Sequence, residues 1–159
     1  MTESPEQQAR DRALRTAANV LQYRQRSARA LYDRLLEKGL EPELAEYAVE
    51  RLQQLGYLND AEYGRLLVRE LSARGYGAGR IRQELREKKL EPEALEAAME
   101  DYQADPERLR RYIEGKLRGQ APDRRMLKKV SDGLFRRGFS WEEIQTALRR
   151  YADQLEDTE

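Results

Sequence analysis

The sequence predicts an all-α protein made of three tandem three-helix, helix-turn-helix-like repeats in an elongated array. Three observations carry this. Apolar residues recur at helical three- and four-residue steps, with no strand-like alternation. All five prolines sit where a helix could begin. One apolar pattern also returns along the chain at shifts of 50 and then 49 residues.

The elements follow in order. Ser4-Pro5 opens the first helix, and the next carries Leu31 and Leu35 on one face and stops at Gly39. Glu41-Pro42 opens a third, with Leu44, Ala48, Leu52 and Leu55 as its stripe and Gly56 as its stop. Asn59-Asp-Ala-Glu62 reads as the asparagine form of a capping box, stapled by Leu58 and Tyr63, and that helix runs to Gly75. Ile81 and Leu85 mark the next helix, and Glu91-Pro92 opens the one after it. Asp105-Pro106 and Ala121-Pro122 open two more, the second carrying Val130 and Leu134 and ending at Gly138. Ser140-Trp-Glu-Glu143, a capping box with Phe139 and Ile144 as its staple, starts the last, whose stripe is Ile144, Ala147, Leu148 and Tyr151.

The repeat is explicit in the residues. Leu31, Leu35, Gly39, Leu40 and Pro42 fall on Ile81, Leu85, Lys89, Leu90 and Pro92, and Ala48 and Val49 fall on Ala98 and Met99. The third copy supplies Val130, Leu134, Gly138, Phe139, Ala147, Leu148 and Tyr151. The expected division is an N-terminal segment 1–9, repeats 10–58, 59–104 and 105–152, and an acidic tail 153–159.

Composition narrows the chemistry. With 39% hydrophobic and 38% charged residues, the chain suits thin modules better than one thick core. It has no cysteine and no histidine, which removes thiol nucleophiles, thiolate metal sites and the commonest general base. No enzyme activity, metal or cofactor is expected. The polar N-terminus lacks a signal-peptide core and no stretch is apolar enough to span a membrane, so a cytoplasmic location is expected.

Zero net charge hides an asymmetry. Residues 105–151 carry thirteen Lys/Arg against seven Asp/Glu, a net of +6, and the last eight residues carry −4. A solvated surface accounts for such charge equally well, but a basic module also suits a polyanionic or acidic partner. The candidate binding residues are Arg24, Arg26, Arg29, Arg124, Arg125, Lys128, Lys129, Arg136 and Arg137. Arg82 and Arg86 are read as offset by Glu84 and Glu87.

Three further features get structural readings. Gly75-x-Gly77-x-Gly79 follows a helix and not a strand, so a flexible connection is expected and not a phosphate loop. Glu96, Glu100, Glu142 and Glu143 sit in polar helical contexts that suit exposure better than acid-base work. Tyr47, Tyr102 and Tyr151 are expected at core edges of third helices with their hydroxyls in water. Tyr23, Tyr76 and Tyr112 lie near arginines, where inter-helix packing is preferred over base stacking.

Four strings resemble the RecX regulatory family, in order and over residues 12 to 151. They are Arg24-x-Arg26-Ser27-x-x-x-Leu31-x-x-x-Leu35-x-x-Lys38-Gly39; Leu55-Gly56-Tyr57-Leu58-Asn59-Asp60-x-x-Tyr63; Arg74-Gly75-x-Gly77-x-x-Arg80-Ile81-x-x-Glu84-Leu85-x-x-Lys88; and Arg136-Arg137-Gly138-Phe139 with Ile144 and Leu148. The chain departs from the family pattern at Lys89, where glycine is usual, at Asn59 for aspartate and at Ala78 for proline. Lysine resists the left-handed conformation of a glycine cap. The resemblance implies a monomeric modulator of the RecA recombinase, mostly a negative regulator. It would bind in the groove of the RecA filament on single-stranded DNA and restrain ATP hydrolysis and strand exchange. Duplex DNA is a further candidate partner. The alternative is a helical-repeat nucleic-acid-binding protein acting without RecA.

Overall fold

A computed structural model describes residues 3–157. Met1 and Thr2 of the N-terminal segment, and Thr158 and Glu159 of the acidic tail, lie outside the described residues. Among the described residues there are nine helices and no strand: α1 (Pro5–Tyr23), α2 (Ala28–Glu37), α3 (Pro42–Gln54), α4 (Asp60–Ala73), α5 (Ala78–Glu87), α6 (Pro92–Met99), α7 (Pro106–Leu117), α8 (Arg124–Arg136) and α9 (Trp141–Asp157). The fold is all-α, three three-helix repeats in tandem.

Local chemistry sets the helix starts. Ser4, Ser27, Asp105 and Asp123 accept bonds from first-turn N–H groups that have no partner within the helix. The Ser140 box closes both ways: the Ser140 N–H donates to Glu143 Oε1 at 2.9 Å, and the Glu143 N–H donates to Ser140 Oγ at 3.1 Å. Asn59 makes the forward half, accepting from the Glu62 N–H at 3.1 Å. Pro5, Pro42, Pro92 and Pro106 are the first residues of their helices, but Pro122 is not. Asp123 intervenes as N-cap, its carboxylate taking the Met126 N–H at 2.8 Å, so α8 starts two residues beyond the proline.

The stops are equally local. Gly39, Gly56, Gly75 and Gly138 all take positive φ, between 83° and 99°. At α8 the pattern is a Schellman turn: the Phe139 N–H reaches the Leu134 carbonyl and the Gly138 N–H that of Phe135. The same pair of bonds closes α5 at Lys89, φ 62°: the Leu90 N–H reaches the Leu85 carbonyl and the Lys89 N–H that of Arg86. The left-handed cap therefore survives the lysine. Its ammonium reaches Asp33 on α2 at 2.7 Å, and Arg29 holds the other Asp33 oxygen at 3.3 Å.

Leu31, Ile81 and Val130 are buried, as are Leu35, Leu85 and Leu134, and Ala48 with Ala98. The third copy departs from this: Ala147 and Leu148 are only half-buried. Leu55 leaves the expected stripe of α3; as C-cap it is exposed, and Ala45 and Val49 complete the buried face. The α9 helix continues through Asp153, Glu156 and Asp157, so those acidic residues stand on a helix.

Contacts divide the described residues into two compact units, one drawn from Met1–Leu67 and Leu85–Glu100, the other from Val68–Glu84 and Asp101–Glu159. Helices α4 and α5 each run across the division. In the first unit α1, α2 and α3 pack on one another around Ala17, Leu31, Leu35 and Ala48. Asp60, at the start of α4, accepts the Ala28 N–H at 2.8 Å and so caps α2 as well; burial pushes its carboxyl above the ordinary value. Gly64 lies so close to Ala98 that a Cβ would sit 2.7 Å from its methyl.

In the second unit α7, α8 and α9 pack around Ile113, Leu117, Leu134 and Ile144. The glycine-rich segment is a clamp and not a slack connection. The Gly77 N–H donates to the Arg137 carbonyl at 2.7 Å and the Gly79 N–H to the Gly138 carbonyl at 2.9 Å. A Cβ on Gly77 would lie 2.7 Å from that carbonyl, and one on Gly138 would overlap the Arg80 backbone nitrogen. Arg108 adds a bond to the Ser72 carbonyl.

Candidate functional site

The nine candidate cations fall in two places. In the first unit, α1 ends at Tyr23, and Arg24 follows as an extended, exposed C-cap. Arg26 is half-buried beside Ser27, and its Nε has no hydrogen-bond partner. Burial, with Arg24 and Arg34 nearby, holds its guanidinium below the ordinary arginine value. Arg29 lies on α2, paired with Asp33 and 5.4 Å from the centroid of the Tyr32 ring. Packing does not claim Tyr23: the ring is 88% exposed. Its helix stops at that residue, so it leaves the face that buries Ala17 and Val20.

The other six lie on α8 or at its end. Arg124, Arg125, Lys128, Lys129 and Arg136 are all exposed on the side opposite Val130 and Leu134. Lys128 pairs with Asp132 at 3.2 Å. Arg124, Arg125, Lys129 and Arg136 make no ion pair with any described residue. Arg137 is different. It is the half-buried C-cap of α8, its guanidinium sits 5.0 Å from the Tyr112 ring centroid, and its carbonyl is held by Gly77. Its surroundings give it a positioning role in the clamp. Met126, Lys129 and Arg136 of α8 line a cavity of about 260 Å³ between α7 and α8, with Tyr112 and Lys116 of α7 on its other side. None of its lining residues is acidic.

The other tyrosines sort by environment. Tyr76 and Tyr112 are half-buried, with the Arg80 and Arg137 guanidinium groups over their rings at 5.4 and 5.0 Å. Tyr151 is buried, and its hydroxyl donates to the Gln120 carbonyl at 2.8 Å and not to water. Tyr102 lies beyond the end of α6 and past its closing turn, where burial raises its phenol above the ordinary value while the Ala78 N–H donates to it. The sequence reading passed over Phe135, 63% exposed, and Trp141, 59% exposed. Phe135 was findable: it follows Leu134 by one residue and so stands off the buried stripe.

Among the described residues no group of acidic side chains is arranged to hold a metal ion. A cavity of about 430 Å³ between α7 and α9 has Glu142, Glu143, Arg110 and Arg150 in its wall, but Glu143 is already engaged in the capping box. No helix of the described residues is long and apolar enough to cross a membrane.

Three family models match in chain order: the first three-helix domain of RecX over residues 9–52, the second over 59–99 and the third over 103–148. Regulatory protein RecX of Xanthomonas oryzae pv. oryzae (strain MAFF 311018) is 38% identical over 135 residues, 84% of each chain. Regulatory protein RecX of Stenotrophomonas maltophilia (strain R551-3) is 35% identical over 135 residues, 84% of this chain and 83% of the relative. Two solved structures share the fold. RecX from Lactobacillus salivarius aligns with a TM-score of 0.82 at 21% identity, over 91% of this chain and 97% of that one. A second structure, of regulatory protein RecX, gives 0.75 at 24% identity, over 93% and 79%.

Proposed function

Because the chain belongs to the RecX family of regulatory proteins, we propose that it modulates the RecA recombinase, mostly as a negative regulator. The observation that carries this is the ordered match of all three RecX domains across residues 9–148. On this reading the protein is a cytoplasmic monomer in homologous recombination, DNA repair and the SOS response, and it works by binding and not by catalysis. It lies in the groove of the RecA filament on single-stranded DNA and restrains ATP hydrolysis and strand exchange. Linked modules that each hold a subunit or the strand weakly add through effective concentration.

The exposed cations support a polyanionic or acidic surface as the partner. Arg124, Arg125, Lys128, Lys129 and Arg136 on α8 form its main electrostatic anchor, and Arg24, Arg26 and Arg29 a second one. Arg137 contributes by holding the end of α8 in place. Titrating the protein into RecA's DNA-dependent ATP hydrolysis tests the reading. Hydrolysis is expected to slow as the protein approaches equimolar with RecA. Unchanged hydrolysis, strand exchange and filament length at saturating protein would refute it. Tight DNA binding in that case would point instead to a nucleic-acid-binding protein acting without RecA.

A further inference from the structure

The α8 surface holds one residue that its charge does not explain. Two rows run along it at separations of four, seven and eleven residues, which share a side of a helix. One row is Arg124, Lys128 and Phe135; the other is Arg125, Lys129 and Arg136. Phe135 is 63% exposed, whereas Phe139, four residues on, is buried in the core. The face is thus a flat apolar ring set among five cations, with Asp132 the one acid on it and already bonded to Lys128.

We propose that this face of α8 receives an unpaired nucleic-acid strand, with a base stacked on the Phe135 ring and phosphates following Arg125, Lys129 and Arg136. The inference rests on reading the α8 cations as meeting nucleic acid, and it goes further by naming the residue that would select a single strand over a duplex and the contact by which it does so. Cations alone do not distinguish single strand from duplex, because both carry phosphates. A phenyl ring does. In a duplex each base face is covered by its neighbours, so the ring meets only edges and backbone. In a single strand the faces are free, and every base has one, which makes the contact tolerant of sequence. The carboxylates of an acidic protein surface would match the cations but give the ring no aromatic face to stack on.

The test uses the full chain and fluorescence anisotropy with three labelled probes of one length: oligothymidylate, the same phosphodiester backbone without bases, and a duplex. Phe135→Ala should weaken oligothymidylate binding about tenfold. It should leave the base-free and duplex probes within about twofold and the salt slope unchanged. Phe135→Tyr should restore parental binding. Because the ring is exposed, the alanine variant should melt with the parent. Lys129→Glu should weaken all three probes and lower the salt slope. If Phe135→Ala binds oligothymidylate as the parent does, or loses all three probes equally, stacking is wrong while the electrostatic reading stands. If it loses only filament binding, the ring faces protein and the proposal falls. If Lys129→Glu changes nothing on any probe, or the parent binds none, the face does not meet nucleic acid and both readings of it fall; slowed RecA hydrolysis would still stand as a separate result.

Discussion

Lys89 holds a left-handed conformation that costs an L side chain about 1 kcal/mol, and its ammonium holds Asp33 in partial compensation. The hydrogen bond from Lys89 keeps the Asp33 carboxyl below its ordinary value of 3.8, with Arg29 adding to the effect and burial opposing it. A depressed carboxyl stabilises the fold above its unfolded pKa, and that contribution disappears as the pH falls through the folded value. The pair is partly exposed and contributes about 0–1 kcal/mol at neutral pH. Lys89→Gly should therefore stabilise the protein, and by more at about pH 3 than at pH 7, since below the ordinary carboxyl value the pair already contributes less and there is less to lose. Urea titrations at the two pH values check this, and a variant less stable at both would contradict it. The lysine's position was legible, because the repeat placed it over Gly39. Its partner was not, since Asp33 lies in the preceding repeat and nothing local signals the approach. Tyr23 was misjudged for a related reason: whether a ring at a helix end is covered depends on where the chain turns next, which periodicity does not encode.

At the scale of elements, starts and stops were legible because caps are local chemistry. Ser140 with Glu143 and the left-handed glycines needed no knowledge of the fold, and Pro122 misled only because Asp123 is the better cap. The clamp was not legible. Gly77 and Gly79 look like slack until their N–H groups are seen to meet the turn after α8. Its tightness can be measured by comparing two glycines. Gly39 and Gly138 have φ of 95° and 99°, but nothing lies near a Cβ at Gly39, whereas Arg80 backbone crowds one at Gly138. Gly39→Ala should cost about 1 kcal/mol from conformation alone. Gly138→Ala should cost about 2–4 kcal/mol, because backbone must move as well. Equal losses in thermal denaturation would show that the clamp is loose. The basic face of α8 was legible residue by residue, apart from the ring near its C-terminal end and the separate employment of Arg137.

For the whole chain, the repeat in the sequence and the units in space do not coincide. The first unit needs residues 60–67 and 85–100 beside its own three helices, and the second needs 68–84. Residues 1–58 alone would lack the Asp60 carboxylate that caps α2 and the Lys89 ammonium that holds Asp33. Such a fragment should melt at lower temperature and less cooperatively than the full chain, as terminal pieces of repeat proteins do when a neighbour is removed. A fragment unfolding as sharply and as late as the parent, followed by circular dichroism, would show that each repeat is self-sufficient. Protein engineering meets the same offset from the other side. A hybrid of two relatives joined in the loops at 58/59 and 104/105 follows the period read in the sequence yet mixes parents inside both units. Crossovers inside α4 and α5 and just after α6, at 67/68, 84/85 and 100/101, look disruptive on paper, but they leave each parent's packing partners together. The loops that the sequence period marks as joints are the wrong places to cut.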